Sequence, residues 1–174
     1  MLLISNHLLN LQQFKEVKDV VIRINMAHVK DKEQLDSFLN TKNDIFLDYP
    51  KGRSKPPTPT LHVPDALEAM AKYKNIKYFA VSNIETPSEV NMIASILPSH
   101  VRFCPKIETV KGVIGLEEIF KTGYVRHIML DAEDLYTDVQ NDVDLFIQLK
   151  ERVRKTCADY NVECLELYGV VFKG

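Results

Sequence analysis

Lysine and carboxylate side chains gather at the ends of short β-branched segments. Lys106 and Glu108 flank the end of Val101 to Ile107 (VRFCPKI), and Asp131, Glu133 and Asp134 follow His127 to Leu130 (HIML). Hard divalent cations take oxygen ligands, and Mg²⁺ commonly uses one or two carboxylates with water and substrate. Glu108 and Asp134, from successive units, are therefore candidate ligands for one Mg²⁺ or Mn²⁺. Lys106, two residues before Glu108 and on the same side of a strand, sets an ammonium beside that cation, where a lysine can handle a proton or stabilise an enolate. The other reading of Lys106 is an ion pair that neutralises neighbouring acids. Arg23, with Asn25 and His28, closes another such segment, Asp48 the next, and Glu85 follows a third. In a parallel α/β fold these ends share one face, the face such folds use for chemistry. Strand ends also meet water and carry polar residues for that reason alone, and both readings stand.

The segments that must position these groups alternate. Strands are expected at Val20 to Ile24, Ile45 to Leu47, Lys77 to Val81, Val101 to Ile107, His127 to Leu130 and Val162 to Leu167, with one more at Leu2 to Ser5. Helical spacing lies between them at 8–16, 31–40, 64–74, 86–97, 113–122 and 140–160, the last with Val143, Phe146, Ile147, Leu149 and Val153 on one side. A regular β-α alternation implies a parallel sheet covered by helices, open or closed into a barrel. Pro50 to Pro64, with five prolines, is expected to be a long loop. A chain of 174 residues fits a single domain over 1–174.

Composition excludes several classes. With 22 Lys+Arg against 24 Asp+Glu, the basic footprint of a nucleic-acid binder is missing. The apolar start MLLISNHLLNLQQF has no basic leader region and polar residues every few positions, so neither a signal peptide nor a membrane span is expected. Cys104, Cys157 and Cys164 are odd in number and lack CxxC or zinc-type spacing, which points to buried thiols in the cytoplasm.

Four segments resemble pyruvate kinase: VIRINMAH (21–28), FLDYPKG (46–52), PKIETVKGVIGLEEI (105–119) and HIMLDAEDL (127–135). The last two are equally similar to the citrate lyase beta subunit and the HpcH/HpaI aldolases, through Ile107-Glu108-Thr109 with Gly112-Val113, and Ala132-Glu133-Asp134-Leu135. The resemblance covers about 20–139. It implies a (β/α) TIM-barrel-like fold, pyruvate kinase-like but small or incomplete with about seven strands, acting on pyruvate, phosphoenolpyruvate or oxaloacetate-type 2-oxo acids through an enolate. It also implies Glu108 and Asp134 as ligands of Mg²⁺ (or Mn²⁺) and Lys106 as the lysine facing the enolate. Arg23 is implied as the arginine holding a phosphate or carboxylate, and Asn25 and Asp48 match monovalent-cation positions on the substrate side. The departures are specific. Ala27 and Tyr49 replace the serine and threonine of that cation site, Ala132-Glu133 replaces Arg-Gly, and no threonine appears in ELYGVV (166–171). The loop 50–64 stands where the kinase has its lid domain, so nucleotide phosphorylation is not expected.

Two functions follow. One is a Mg²⁺-dependent C–C lyase or aldolase, with Lys106 and Arg23 as catalytic residues and a small 2-oxo acid as partner. The other is a non-catalytic scaffold that keeps the fold and binds a metabolite or a protein. Seven strands or fewer leave sheet edges that invite a second copy, so a homodimer is expected.

Overall fold

A computed structural model of the chain describes residues 3–5 and 20–166. Strands β1 (Leu3–Ser5), β2 (Val21–Asn25), β3 (Ile45–Tyr49), β4 (Ile76–Val81), β5 (Arg102–Ile107), β6 (His127–Leu130) and β7 (Glu163–Glu166) alternate with helices. The helices are α1 (Lys32–Leu39), α2 (Val63–Lys72), α3 (Pro87–Ile96), α4 (Val110–Ile114), α5 (Leu116–Lys121), α6 (Ala132–Asp138) and α7 (Val143–Asp159). The chain divides into two compact units, Met1–Ser82 with Met92–Cys104, and Asn83–Asn91 with Pro105–Gly174.

In the first unit β1 to β4 pair in parallel, with Ser5 opposite Arg23 and Asn25 opposite Asp48. Strands covered on both faces read as near-continuous apolar runs. Ile22, Ile24, Ile45, Phe46 and Leu47 are accordingly fully buried, and each such side chain contributes roughly 1.5–3 kcal/mol of transfer free energy. In the second unit the end of β5 pairs in parallel with β6, Lys106 opposite Met129 and Ile107 opposite Leu130, and β6 pairs with β7. Ile107, Val113, Ile119, Ile128, Leu130 and Val153 form its core.

The expected strands are all present, with ends shifted by one or two residues. The helices differ more. The segment 113–122 forms two helices meeting at Gly115, which caps both. A Cβ there would lie 2.7 Å from the carbonyl oxygen of Glu85, so only glycine allows this approach. The long helix starts at Val143 rather than 140, because Gln140 and Asn141 adopt left-handed φ of 53° and 64°. Its buried side runs through Leu149, Val153, Thr156 and Cys157, while Val143 and Ile147 are exposed. Pro64 belongs to the first turn of α2 and not to the loop, since that turn needs no proline N–H. The rest of 50–62 is irregular, as expected, and is tied down by Arg53 donating to the carbonyls of Pro56 and Pro57. Helix α6 was not foreseen. The helix expected at 8–16, the start of the first strand at Leu2 and the tail from Leu167 lie outside the described residues. Among those described, no helix is long and apolar enough to cross a membrane.

Candidate metal centre

The predicted site residues fall into two groups, one in each unit. Lys106, Glu108 and Asp134 belong to the second. Alternation along β5 puts Lys106 and Glu108 on one side, with Ile107 packed into the core between them. Both polar side chains are buried, Lys106 5% and Glu108 4% exposed. Lys106 Nζ lies 2.7 Å from Glu108 Oε1 and 3.7 Å from Asp131 Oδ2. The other Glu108 oxygen, Oε2, accepts the backbone N–H of Asn83 at 2.8 Å. Burial pushes the Glu108 carboxyl above its ordinary value, and the Lys106 ammonium and the Asn83 N–H oppose that rise.

Parallel pairing brings the next strand's carboxylates to the same place. Past the Ile107–Leu130 pair, the N–H of Asp131 donates to the Ile107 carbonyl, which sets Asp131 beside Glu108. Asp131 caps α6, its side chain accepting from the N–H of Asp134 at 3.4 Å. The first turn of that helix then returns Asp134 toward Glu108. Glu108, Asp131 and Asp134 each offer an oxygen, and these three lie within 4.8 Å of one another. Oxygen ligands 2.0–2.1 Å from a Mg²⁺ stand about 3–4 Å apart, so a small side-chain adjustment suffices. The donor set is all carboxylate oxygen, which suits Mg²⁺ or Mn²⁺ and not a soft metal. These residues fit a divalent cation.

Asp131 is the member of the acidic group that sequence reasoning did not name as a candidate ligand. A polar residue directly after a β-strand and three before another Asp is the pattern of a helix cap, and recognising α6 would have turned its carboxylate toward Glu108. Glu133, which follows the same strand, is exposed on α6 and outside the acidic group.

Arg23, Asn25 and Asp48 form the other group, in the first unit. Arg23 is 7% exposed and donates through Nε (2.9 Å) and Nη2 to Asp48 Oδ2, and through Nη1 to Ser5 Oγ at 3.1 Å. Asn25 caps a short 3₁₀ turn, Met26–His28, by accepting from the N–H of Ala27 at 3.0 Å. His28 ends that turn with its pKa lowered by burial and by the charges of Arg53 and Arg23.

The chain just after Glu108 is anchored to Glu85. Thr109 caps α4 and donates to Glu85 Oε1 at 2.8 Å, while Lys111 pairs with Glu85 Oε2 at 2.9 Å. Gly112 lets α4 approach so closely that a Cβ would sit 2.9 Å from the Ile84 carbonyl oxygen.

No family model and no curated protein matches the chain. Solved structures do. It is similar to the citrate synthase SbnG (TM-score 0.71, 13% identity, 95% of this chain and 76% of that one). It is similar to RipC from Yersinia pestis (0.65, 14%, 95% and 73%). It is also similar to CitE from Mycobacterium tuberculosis, solved with magnesium and acetoacetate (0.67, 14%, 95% and 71%). The fold is thus α/β and TIM-barrel-like, shared with solved structures of the citrate lyase beta subunit and HpcH/HpaI aldolase type.

Proposed function

We propose that the chain is a Mg²⁺-dependent C–C lyase of the aldolase type, acting on a pyruvate, phosphoenolpyruvate or oxaloacetate-type 2-oxo acid through an enolate. The observation that carries this is the meeting of Glu108, Asp131 and Asp134 within 4.8 Å around a buried lysine. Its support from likeness is that CitE structures of the same fold were solved with magnesium and acetoacetate, and with magnesium and pyruvate. A cation held by these carboxylates supplies a Lewis acid for the substrate carbonyl. Asn83, through its N–H, fixes the Glu108 carboxylate in orientation. Lys106 holds a proton at Nζ and hands it to the enolate carbon after C–C cleavage. Asp131, with Oδ2 3.7 Å from Nζ, helps hold that ammonium beside the carboxylates.

Arg23, Asn25 and Asp48 carry a separate part of the proposal, the binding of substrate, with Arg23 as the anion-binding group. Its test is Arg23→Lys, expected to raise KM with the fold retained. A single domain with the loop 50–62 in place of a kinase lid, a cytoplasmic location and a homodimer complete the reading. Exposed Val143 and Ile147, one turn apart on α7, offer an apolar face for association, and light scattering distinguishes one 20.0 kDa chain from two.

The direct test is pyruvate release from oxaloacetate or a 4-hydroxy-2-oxo acid with Mg²⁺ present. Activity that chelation and Glu108→Gln both abolish supports the lyase. One observation favours the scaffold reading: both Glu108 oxygens already have partners, Lys106 and Asn83, which satisfies the buried charge without a cation. No turnover together with no Mg²⁺ binding by a folded protein establishes that alternative.

A further inference from the structure

Helix α7 and strand β7 are held together by side chains in register. Arg154 donates to both carboxylate oxygens of Glu166, at 2.8 and 3.0 Å, and Lys150 lies 3.4 Å from the same group. One turn further along α7, Cys157 faces Cys164, two residues before Glu166 and so on the same side of β7; the two thiols share a hydrogen bond. The turn between them is short and fixed, with the N–H of Val162 donating to the Cys157 carbonyl at 2.9 Å and Asn161 in a left-handed conformation. Both cysteines are free thiols, Cys157 buried and Cys164 partly exposed.

We propose that Cys157 and Cys164 are a redox pair that closes to a disulfide bracing α7 on β7 when the protein meets a low-molecular-weight disulfide. The two residues have unequal roles. Cys164 is the one that solvent reaches, and its thiol is acidified by the hydrogen bond from Cys157 and by the charges of Arg154 and Lys150, against burial and Glu166. Cations beside a partly exposed thiol favour the nucleophilic thiolate. That same hydrogen bond, and then burial, push the Cys157 thiol up.

The exchange runs in two displacements. The Cys164 thiolate attacks one sulfur of the external disulfide, whose S–S bond breaks; a mixed disulfide forms, and the expelled thiolate takes a proton from water. Cys157 then loses its proton and attacks the Cys164 sulfur, expelling the second small thiol. Two protein thiols are oxidised, and one external disulfide is reduced to two thiols.

Oxidised glutathione on the folded full chain, with intact-mass and peptide mapping, tests this. The expected product is about 2 Da lighter than the reduced chain, linked between the peptides carrying Cys157 and Cys164, and reversible by a dithiol. Cys157→Ser is expected to trap glutathione on Cys164, and Cys164→Ser to block both adduct and link. A wild-type chain that accumulates the glutathione adduct at Cys164 without closing, or that reacts first at Cys104 or Cys157, overturns the proposal.

Discussion

Lys106 Nζ lies 2.7 Å from Glu108 Oε1, so a cation already stands at the first ligand of the candidate metal centre. A divalent ion has to share that oxygen with an ammonium or displace it. The lysine is therefore both the proposed acid and a competitor for the carboxylate.

The expected outcome for Lys106→Met is loss of lyase turnover with a gain of about tenfold or more in Mg²⁺ affinity, read by titration calorimetry. Without metal the variant leaves Glu108 buried with the Asn83 N–H but no cation beside it, a destabilisation on the order of 3 kcal/mol. Added Mg²⁺ is expected to raise its melting temperature more than it raises the wild type's. An unchanged affinity would place the lysine outside the metal's reach.

Arg23 and Asp48 are a buried pair, 8% and 1% exposed at the side chain. Asp48→Ala removes one partner and strands the guanidinium, with an expected loss of about 3–5 kcal/mol in urea unfolding. A loss below about 1 kcal/mol would show that Ser5 or solvent suffices for Arg23.

Gly115→Ala is expected to destabilise by about 1–3 kcal/mol, because its Cβ meets backbone, the Glu85 carbonyl, at 2.7 Å and not a movable side chain. Gly123→Ala is the contrast: no atom lies within 4 Å of its Cβ, so any loss there reflects only its φ of 78°. Denaturant midpoints of the two variants separate steric overlap from backbone strain.

Glu166 gives an acid-limb prediction. The hydrogen bond from Arg154, then the charges of Lys150 and Arg154, hold its carboxyl below the ordinary value against burial. A carboxyl whose folded pKa is depressed contributes stability above its unfolded pKa and loses it as pH falls through the folded one. Glu166→Gln is expected to be less stable than wild type at pH 7, by roughly 0.5–1 kcal/mol for a pair whose arginine is half exposed. The two proteins should converge as pH falls through that depressed folded pKa, and thermal melts from neutral pH down the acid limb check it. Parallel curves would assign the difference to packing alone.

The strands were legible because their β-branched runs stand between turn signals, and the approach of Lys106 to Glu108 was legible because a strand-end carboxylate and a lysine two residues earlier must share a side. Asp134 was legible only as one of the carboxylates that follow the next strand. Asp131 was not, because its role needs both the β5–β6 register and the cap of α6, and a seven-residue helix rich in Asp and Glu reads as a charged loop. Val143 and Ile147 misled for a related reason: the left-handed residues Gln140 and Asn141 set where α7 begins, and no periodicity shows which apolar stripe the sheet covers. The partners of Arg23 depend on β1, β2 and β3 lying in order, with Ser5 and Phe46 flanking it in register.

Calorimetric titration of Mg²⁺ into the wild type, Glu108→Gln and Asp131→Asn tests the central claim most directly, since it reads the cation site without requiring the substrate. The account predicts a saturable one-site heat in the wild type, abolished by Glu108→Gln and weakened about tenfold or more by Asp131→Asn, with all three proteins folded by circular dichroism. A folded wild type that gives no heat, or a heat that Glu108→Gln leaves unchanged, contradicts it.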